Sequence, residues 1–318
     1  MKRINIYINE SEDGNIDYLA DAFDINRSEL IRRAIINYIN TYKSNIDNFA
    51  DDFEVPECKN TKLPSKYKYN IVDFAQSELQ WNTREGVRRV TLCNEQKELL
   101  NDLTLYNRVI IRKPRQTGVT YLMCFHALHS AMYSENKNII MASSRLSLAQ
   151  DSLNRIYNMV MALPESIRPI IEQRNKRSIK FENGITIIAS ATSPDSVRGI
   201  TIHHLYIDEC AFINRDIFDA FMKCVIPSMP IESSKIIIAS TPNGHNHFHK
   251  MFVDALTQYN DFRHVTLRYD IIPGRNKEWR QNQINSIGLK RFKSEYDCHF
   301  LSKEDLARAD DEGFSYGI

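Results

Sequence analysis

The strongest constraint on the fold is a set of short apolar runs that each end in polar residues. One run, residues 205–207, leads directly into Asp208 and Glu209. Such runs are typical of strands buried on both faces of a sheet. Ligands of open α/β sheets bind beyond the carboxyl ends of the strands, so both carboxylates are predicted to emerge where a ligand lies. We expect Asp208 to hold Mg²⁺, directly or through water. We expect Glu209 to orient and deprotonate a water that attacks the γ-phosphate of ATP.

A candidate phosphate loop lies upstream, between an apolar run at residues 108–111 and a helix-like apolar stretch that starts at Tyr121. The order of strand, loop and helix is the one in which the pattern G-x-x-x-x-G-K-[ST] binds phosphate. Set against that pattern, Gly118 is the second glycine and Thr120 supplies the hydroxyl that binds Mg²⁺. For this segment alone, the alternative is a basic surface turn.

The loop departs from the pattern at two positions. Val119 occupies the usual lysine position and supplies no cation, while Lys113 stands where the first glycine should be. Backbone amides and the helix N-terminus still favour an anion there. We therefore expect Lys113 or Arg115 to reach back over the loop and supply the missing charge.

A third apolar run, residues 235–239, ends in the hydroxyl-rich turn Ser240-Thr241, which a Pro-Asn-Gly sequence closes. In P-loop motors of helicase type, a turn of this kind on the strand beside the acidic one senses hydrolysis. It couples that step to movement along nucleic acid. Upstream of the phosphate loop, Gln96 precedes an amphipathic stretch, and its amide could read the edge of an adenine. Taken by itself, Gln96 is more typical of a solvated surface residue.

Together these motifs resemble the ATPase half of a tailed-bacteriophage terminase large subunit, particularly of the contractile-tailed (myovirus) type. The likeness rests on residues 193–213, on residues 234–248, and on Arg115-Gln116 followed by Gly118, which looks like the phosphate loop of that family. The likeness spans about residues 67–303. It implies an α/β fold, namely a P-loop (RecA/ASCE-like) ATPase with a central, mostly parallel sheet.

The periodicity of the sequence agrees with alternating strands and helices. Residues 138–142 predict a strand and residues 147–161 predict a helix. Residues 178–189 predict a hairpin that turns at Asn183-Gly184.

The resemblance implies a role for each residue of the site. Arg198 stands where the family carries an arginine that can reach the γ-phosphate of a neighbouring subunit, and Arg115 is the competing candidate within the subunit. Such a guanidinium accelerates phosphoryl transfer by about three to five powers of ten. The structural alternative for Arg198 is a turn arginine that caps backbone carbonyls.

The resemblance also implies the membership of the site as a whole. The implied catalytic residues are Glu209, Asp208, Arg198 and Arg115, and the coupling residues are Ser240 and Thr241. The implied ATP- and phosphate-binding residues are Gln96, Lys113, Arg115, Gln116, Thr117, Gly118 and Thr120, and the Mg²⁺ ligands are Thr120 and Asp208.

The implied activity is ATP hydrolysis, with Mg²⁺ as cofactor, that drives double-stranded viral DNA into a preformed procapsid in the host cell cytoplasm. The implied partners are the portal of the procapsid, a small terminase subunit, and further copies of the chain in a ring. A second hypothesis, motivated by Val119 and by the N-terminal segment, is a DNA-binding or assembly factor with a defective nucleotide site. A helicase is the third hypothesis, and it is disfavoured because a single P-loop-type domain fits the sequence.

Residues 1–45 predict a separate small domain. Residues 2–8 alternate between apolar and polar side chains, which indicates a strand with one buried face, and two amphipathic stretches follow. This order resembles the ribbon-helix-helix fold, in which paired strands enter the DNA major groove. Arg3, Asn5 and Tyr7 would then contact base edges. The segment carries six basic and seven acidic side chains, so DNA binding and plain self-association both remain open.

The remaining segments predict little chemistry. Residues 46–66 are polar without a sustained period and predict a linker. Residues 304–318 form an acidic tail without a strand pattern. We therefore expect no nuclease domain and no nuclease activity from this chain alone. Two alternatives stay open: the sequence is part of a longer protein that carries the nuclease domain, or a separately encoded nuclease subunit supplies that activity.

Composition excludes several classes of protein. The six cysteines show no C-x-x-C spacing, so neither a zinc site nor a disulfide framework is predicted. The net charge is +1, so any contact with nucleic acid must come from local basic patches. No apolar segment approaches the roughly 20 residues that span a bilayer, so no membrane contact is expected.

Overall fold

The computed structural model describes residues 63–83, 86–231 and 234–302. The ribbon-helix-helix-like segment, most of the predicted linker and the acidic tail lie outside the described residues. The chain divides after Asn70, and every element named below lies in the unit that begins at Ile71. The helices are α1 (Ile71–Glu78), α2 (Asn94–Leu105), α3 (Val119–Tyr133), α4 (Leu146–Ala162), α5 (Arg215–Val225), α6 (His247–Leu256), α7 (Lys277–Ile287) and α8 (Leu289–Glu295). The strands are β1 (Gln80–Thr83), β2 (Gly86–Arg89), β3 (Arg108–Arg112), β4 (Asn138–Ser143), β5 (Ile171–Arg174), β6 (Ser178–Phe181), β7 (Thr186–Ala191), β8 (His204–Asp208), β9 (Lys235–Ser240) and β10 (Arg263–Thr266).

Strands β3 to β10 form one sheet in the order β10-β3-β9-β8-β4-β7-β6-β5. Neighbouring strands from β10 to β7 run parallel, and β6 and β5 add an antiparallel edge. The order places β9 between β3, which leads into the phosphate loop, and β8, which carries the acidic pair. This order agrees with the central, mostly parallel sheet that the resemblance implies. The predicted α/β class with a mostly parallel sheet is therefore confirmed.

The elements predicted from periodicity are present with small changes in their bounds. The strand predicted at 138–142 is β4, the helix predicted at 147–161 is α4, and the predicted hairpin is formed by β6 and β7. The hairpin turns at Gly184, whose φ is 80°. A Cβ at that position would lie 2.2 Å from Asn136 Oδ1, so the turn requires glycine.

The central strands are buried on both faces, as their continuous apolar runs predict. Every residue of β9 is buried, and β8 is buried up to Asp208. Aromatic side chains of the covering helices, including Phe221 and Phe248, pack in the same apolar cluster as Leu205 and Ile238. Among the residues that the structure describes, no helix combines the length and apolar character needed to cross a membrane.

Register brings the carboxyl ends of four strands to one level. Arg112 of β3 pairs with Ser240 of β9, while Asp208 of β8 pairs with Ala239 of β9 and with Ser143 of β4. Loops that follow these strands must therefore start side by side. This edge of the sheet holds the predicted site residues.

Two histidines of the core predict a loss of stability in acid. His126 and His204 are buried, and burial, more than neighbouring charges, lowers the pKa of both well below the ordinary value. In the unfolded chain each takes up a proton near its ordinary pKa of about 6.5. Below that pH the unfolded state binds more protons than the folded state, so the free energy of unfolding falls as pH falls. We expect a loss of about 1.4 kcal/mol per pH unit for each histidine.

The measurement is urea unfolding between pH 7 and pH 5 for the unmodified chain and for His126→Gln. The variant should show a shallower decline of stability with falling pH, because one of the groups that take up a proton on unfolding is gone. His299, which is exposed, supplies the control variant His299→Gln. An unchanged slope in His126→Gln would contradict the prediction.

Candidate active site

The segment between β3 and α3 forms a loop with two left-handed backbone positions. Gln116 has a φ of 58° and Gly118 has a φ of 80°. The Thr117 hydroxyl donates to the carbonyl oxygen of Pro114 at 3.1 Å, which closes the turn. Gly118 is the N-cap of α3, so the loop ends where the free N–H groups and the dipole of a 15-residue helix favour an anion.

Lys113 is the cation that reaches the acidic pair. Its Nζ lies 2.9 Å from Asp208 Oδ1 and 2.9 Å from Glu209 Oε1. Burial alone would lower the pKa of Lys113, but the two carboxylates outweigh burial and raise the pKa above its ordinary value. Lys113 is therefore charged. Val119, at the usual lysine position, is buried and is not among the residues that line the adjoining cavity.

Thr120 and Asp208 supply two adjacent oxygen atoms suited to Mg²⁺. The Thr120 hydroxyl donates to Asp208 Oδ2 at 2.6 Å, across 88 positions of sequence. Mg²⁺ prefers oxygen ligands and is commonly held by one or two carboxylates together with substrate phosphates. The pair therefore fits the metal that the sequence predicts.

Glu209 ends its strand in a left-handed conformation, with φ 54° and ψ 44°. In a continuing strand, adjacent side chains would point to opposite faces. The break at Glu209 coincides with a geometry in which both carboxylates contact Lys113. Its second oxygen, Oε2, lies 3.5 Å from the Ser240 hydroxyl and 3.4 Å from the backbone N of Thr241. The predicted coupling residues thus adjoin the predicted base.

The turn that follows Glu209 is held by the segment between β9 and α6. The Ser240 hydroxyl accepts a hydrogen bond from the backbone N of Ala211 at 3.0 Å. The carbonyl oxygen of Ala211 accepts from the side-chain amides of Asn243 at 3.2 Å and Asn246 at 2.7 Å. His247 Nε2 lies 3.1 Å from the carbonyl oxygen of Cys210. The sequence motif at 234–248 predicted no role for the two asparagines or for His247.

Asn246 both caps α6 and holds the turn after Glu209. Its replacement should therefore lower the free energy of unfolding by more than the loss of a helix cap does. Its Oδ1 accepts from the backbone N of Phe248 and of His249 at the start of α6, while its amide donates to Ala211. A helix cap contributes about 1 kcal/mol. The two hydrogen bonds that the Asn246 amide donates, to the carbonyl oxygens of Ala211 and Asn243, contribute about 1–2 kcal/mol more. We expect Asn246→Ala to lower the free energy of unfolding by about 2–3 kcal/mol.

Asn276 provides the matched control, because its side chain caps α7 through Trp279 N at 2.9 Å. Asn276→Ala should cost about 1 kcal/mol. Asn246→Asp should keep the cap but set a carboxylate oxygen against the Ala211 carbonyl. Urea unfolding measures all three variants. Equal losses for Asn246→Ala and Asn276→Ala would contradict a role of Asn246 in holding the turn.

Three further predicted residues make contacts away from the acidic pair. Gln96 is buried, and its amide donates to the carbonyl oxygen of Thr117 at 3.0 Å while its oxygen accepts from the backbone N of Cys93. Contact with adenine stays a prediction. Arg115 pairs with Glu295 at 3.2 Å, at the rim of the cavity. Arg198 is 69% exposed, pairs with Asp195 at 3.3 Å, and lies outside the cavity lining.

A cavity of about 830 Å³ opens in front of these groups. Its lining combines loop residues and Glu209 with three exposed apolar side chains, those of Leu148, Phe212 and Ile217. The residues that line the cavity are Lys113, Arg115, Gln116, Thr120, Ser144, Arg145, Leu148, Thr192, Glu209, Phe212, Ile213, Asn214, Ile217 and Thr241.

The sequence of this unit matches a known family. Residues 110–311, well over half of the chain, match the family model described as terminase large subunit, T4likevirus-type, N-terminal. The chain belongs to this terminase large subunit family. Residues 2–42 of the terminase chain match the ribbon-helix-helix protein family of copG type. Both resemblances predicted from the sequence are therefore confirmed.

Curated relatives of this terminase chain include the terminase large subunits of Thermus phage G20c and Thermus virus P23-45. Each is 27% identical over 128 residues, which is 36% of this chain and 26% of the relative. The matched segment thus spans about a quarter of the length of these relatives.

Solved structures similar to this terminase chain include the large terminase ATPase domain of Thermus phage P74-26, with a TM-score of 0.56 and 18% identity. That similarity covers 66% of this chain and 94% of the other. The HK97 bacteriophage large terminase has a TM-score of 0.54 and 15% identity, over 77% of this chain and 51% of its own. The large terminase of a thermophilic bacteriophage, in complex with ATP-gamma-S, has a TM-score of 0.53 and 15% identity, over 66% of this chain and 53% of its own. These similarities show a shared fold.

Proposed function

We propose that this chain is the ATPase motor subunit of a viral DNA-packaging terminase, which hydrolyses ATP to translocate double-stranded DNA into a procapsid. The observation that carries the proposal is the meeting of Lys113, Thr120 and the Asp208-Glu209 pair at one edge of the sheet. These groups come from the phosphate loop and from a strand 88 positions later. A cation, a hydroxyl and two carboxylates in contact are the parts that phosphoryl transfer from ATP requires.

The polyphosphate would lie against the loop and the N-terminus of α3, with Lys113 as its nearest buried cation. Thr120 and Asp208 would hold Mg²⁺, which when bound neutralises charge on the phosphate oxygens. Thr120 and Lys113 both contact Asp208, so they fix the orientation of its carboxylate. The chain thereby sets the positions of its charges before substrate arrives, which is the main protein contribution in this reaction class.

Glu209 would accept a proton from the attacking water. Its carboxylate faces the cavity, and its two oxygens have different neighbours: Lys113 on one side, Ser240 and Thr241 on the other. A base held in this way has few accessible rotamers, so its carboxylate stays oriented toward the water. Loss of the γ-phosphate would change the contacts of Glu209 and hence those of the turn at Ser240.

Movement of that turn would reach α6, because the hydrogen bonds from Asn246 and His247 tie the start of α6 to residues 210–211. We propose that this linkage couples hydrolysis to DNA movement, with Ser240 and Thr241 as the coupling residues. Arg198 would act in the site of a neighbouring copy, since its side chain is 69% exposed and lies outside the cavity of its own chain. Arg115 stays the alternative within the chain.

The wider assembly is proposed on the family alone. The motor would span residues 67–303 and work as a ring on the portal of the procapsid in the host cytoplasm, with a small terminase subunit presenting DNA. Residues 1–45 would form the ribbon-helix-helix module that self-associates or contacts DNA through Arg3, Asn5 and Tyr7. Residues 46–66 would be the linker and residues 304–318 an acidic tail.

The test is calorimetric binding of a slowly hydrolysed ATP analogue to the purified chain, with and without Mg²⁺. Binding that strengthens with Mg²⁺ supports the ATPase motor. Absence of binding at millimolar analogue would overturn it in favour of an assembly factor with a defective nucleotide site. Separation of strands on a forked duplex, driven by ATP, would instead identify a helicase.

A further inference from the structure

We infer that Arg275 is a positioning residue that fixes the shape of the phosphate loop from outside the cavity. Its Nη1 donates to the carbonyl oxygen of Arg115 at 3.2 Å, and its Nη2 donates to that of Gln116 at 3.0 Å. One guanidinium thus bridges two successive carbonyls. Only the predicted effect on nucleotide affinity rests on the proposed function, because the contacts themselves join the Arg275 guanidinium to backbone carbonyls of the loop.

The loop needs such a support because its backbone is strained at this point. Gln116 has a φ of 58°, a left-handed conformation that costs energy for any residue with a Cβ. A strained residue persists when its surroundings determine its conformation. Arg275 supplies that determination, because two bonds to adjacent carbonyls fix the orientation of the peptide planes on either side of Gln116. In a trans peptide the N–H points away from the C=O, so the N–H groups of those two planes point away from Arg275.

Contacts outside the phosphate loop hold the Arg275 side chain in place. Its guanidinium lies 4.9 Å from the ring centroid of Trp279 and 5.9 Å from that of Tyr296. Its Nη1 also lies 3.4 Å from the carbonyl oxygen of Tyr269. A planar fork that stacks on aromatic rings and donates from two nitrogens is a property of arginine that lysine lacks. The site therefore specifies an arginine and not merely a positive charge.

The same C-terminal segment holds the loop at a second point. The backbone N of Arg115 donates to the carbonyl oxygen of Glu295 at 3.0 Å, and the Arg115 guanidinium pairs with the Glu295 carboxylate at 3.2 Å. Arg275 lies just before α7 and Glu295 is the last residue of α8, so both contacts come from one segment of the chain. The shape of the phosphate loop thus depends on residues about 160 to 180 positions further along the chain.

Arg280 offers a matched control in the same segment. Its guanidinium lies 5.0 Å from the ring centroid of Phe292 and its Nη2 lies 3.7 Å from Asp297 Oδ2. It stacks on the same aromatic cluster as Arg275, but neither of these contacts involves the phosphate loop. Arg280→Ala therefore removes comparable packing and charge while leaving the bonds from Arg275 to the loop in place.

The experiment compares Arg275→Ala, Arg275→Lys and Arg280→Ala in the full chain by two measurements. The first is hydrogen exchange, without nucleotide, of the Arg115 backbone amide, which donates to the carbonyl oxygen of Glu295. The second is calorimetric affinity for the ATP analogue with Mg²⁺. We expect Arg275→Ala to speed exchange in the loop about tenfold and to weaken affinity about tenfold, and Arg275→Lys to recover only part of either. Arg280→Ala should stay within about twofold of the unmodified chain.

Loop exchange that is the same in Arg275→Ala and Arg280→Ala would overturn the inference. Full recovery by Arg275→Lys would overturn it as well, because charge alone would then suffice. Should Arg275→Ala fail to fold, Arg275→Lys still decides between these outcomes, since it preserves charge and most of the packing. Faster loop exchange in a chain that binds no analogue would support the role of Arg275 while contradicting the proposed ATPase function.

Discussion

Glu209→Gln is expected to lower the rate of ATP hydrolysis by about 10²- to 10⁴-fold while leaving nucleotide affinity within a few-fold of the original. The amide keeps the size of the carboxylate and one acceptor oxygen for the Lys113 ammonium, so the site should keep its shape. The amide has no useful basicity, so the attacking water would lose its proton acceptor. Gln116 shows that the chain accommodates glutamine at a φ of 58°, close to the 54° of Glu209.

Single-turnover release of phosphate, measured at chain concentrations that permit self-association, determines the rate. Calorimetry with the slowly hydrolysed analogue determines the affinity of the same variant. Glu182→Gln is the control. Glu182 is an exposed residue of the hairpin, so this substitution makes the same chemical change away from the site. Turnover that survives in Glu209→Gln would remove Glu209 from the role of base.

Lys113→Ala is expected to weaken binding of the Mg²⁺-ATP analogue at least about 100-fold, since loss of about 3 kcal/mol corresponds to a factor of more than 100 in affinity. Two effects act together. The polyphosphate loses its buried cation, and the carboxylates of Asp208 and Glu209 are left side by side without the ammonium that now separates them. An anion approaching that pair would be repelled.

The same variant should also unfold more easily, by about 3 kcal/mol, because removal of one partner from a buried ion pair leaves the other charges uncompensated. Lys180→Ala breaks the exposed pair of Lys180 with Glu172 and should cost less than about 1 kcal/mol. Affinity that persists in Lys113→Ala, but disappears in Arg115→Ala, would show that Arg115 supplies the charge that Val119 lacks.

The sequence predicts the sheet, and it also predicts that the phosphate loop, Asp208-Glu209 and Ser240 lie together, because both features depend on local patterns. Apolar runs that end in Asp208, Ser240 and the phosphate loop are visible without a structure. Which of Lys113 and Arg115 reaches the acidic pair is not visible in the sequence. It depends on a contact across 96 positions for Lys113 and on a partner at Glu295 for Arg115. Such long-range pairings leave no periodic signal.

Other residues escape prediction because they act on backbone and not on ligands. The amide of Asn246 and the guanidinium of Arg275 meet carbonyl oxygens of loops that are distant in sequence, and no residue-type pattern announces this. Gln96 did leave a signal: it stands three positions after Cys93 at the start of α2, the spacing of a capping box. That spacing predicts the bond between Gln96 and the backbone N of Cys93.

Lys113 directly follows the last residue of β3, and its backbone N donates to the carbonyl oxygen of Ser240 at 3.0 Å. A lysine at the usual position would instead belong to the first turn of α3. The two sources of positive potential in this site therefore have separate anchors: the ammonium is fixed to the sheet, and the amides belong to the loop and the helix. If the loop shifts after hydrolysis, the amides withdraw while the lysine stays with the acidic pair. Release of phosphate and release of the remaining nucleotide can then proceed as separate steps, each governed by a different part of the fold.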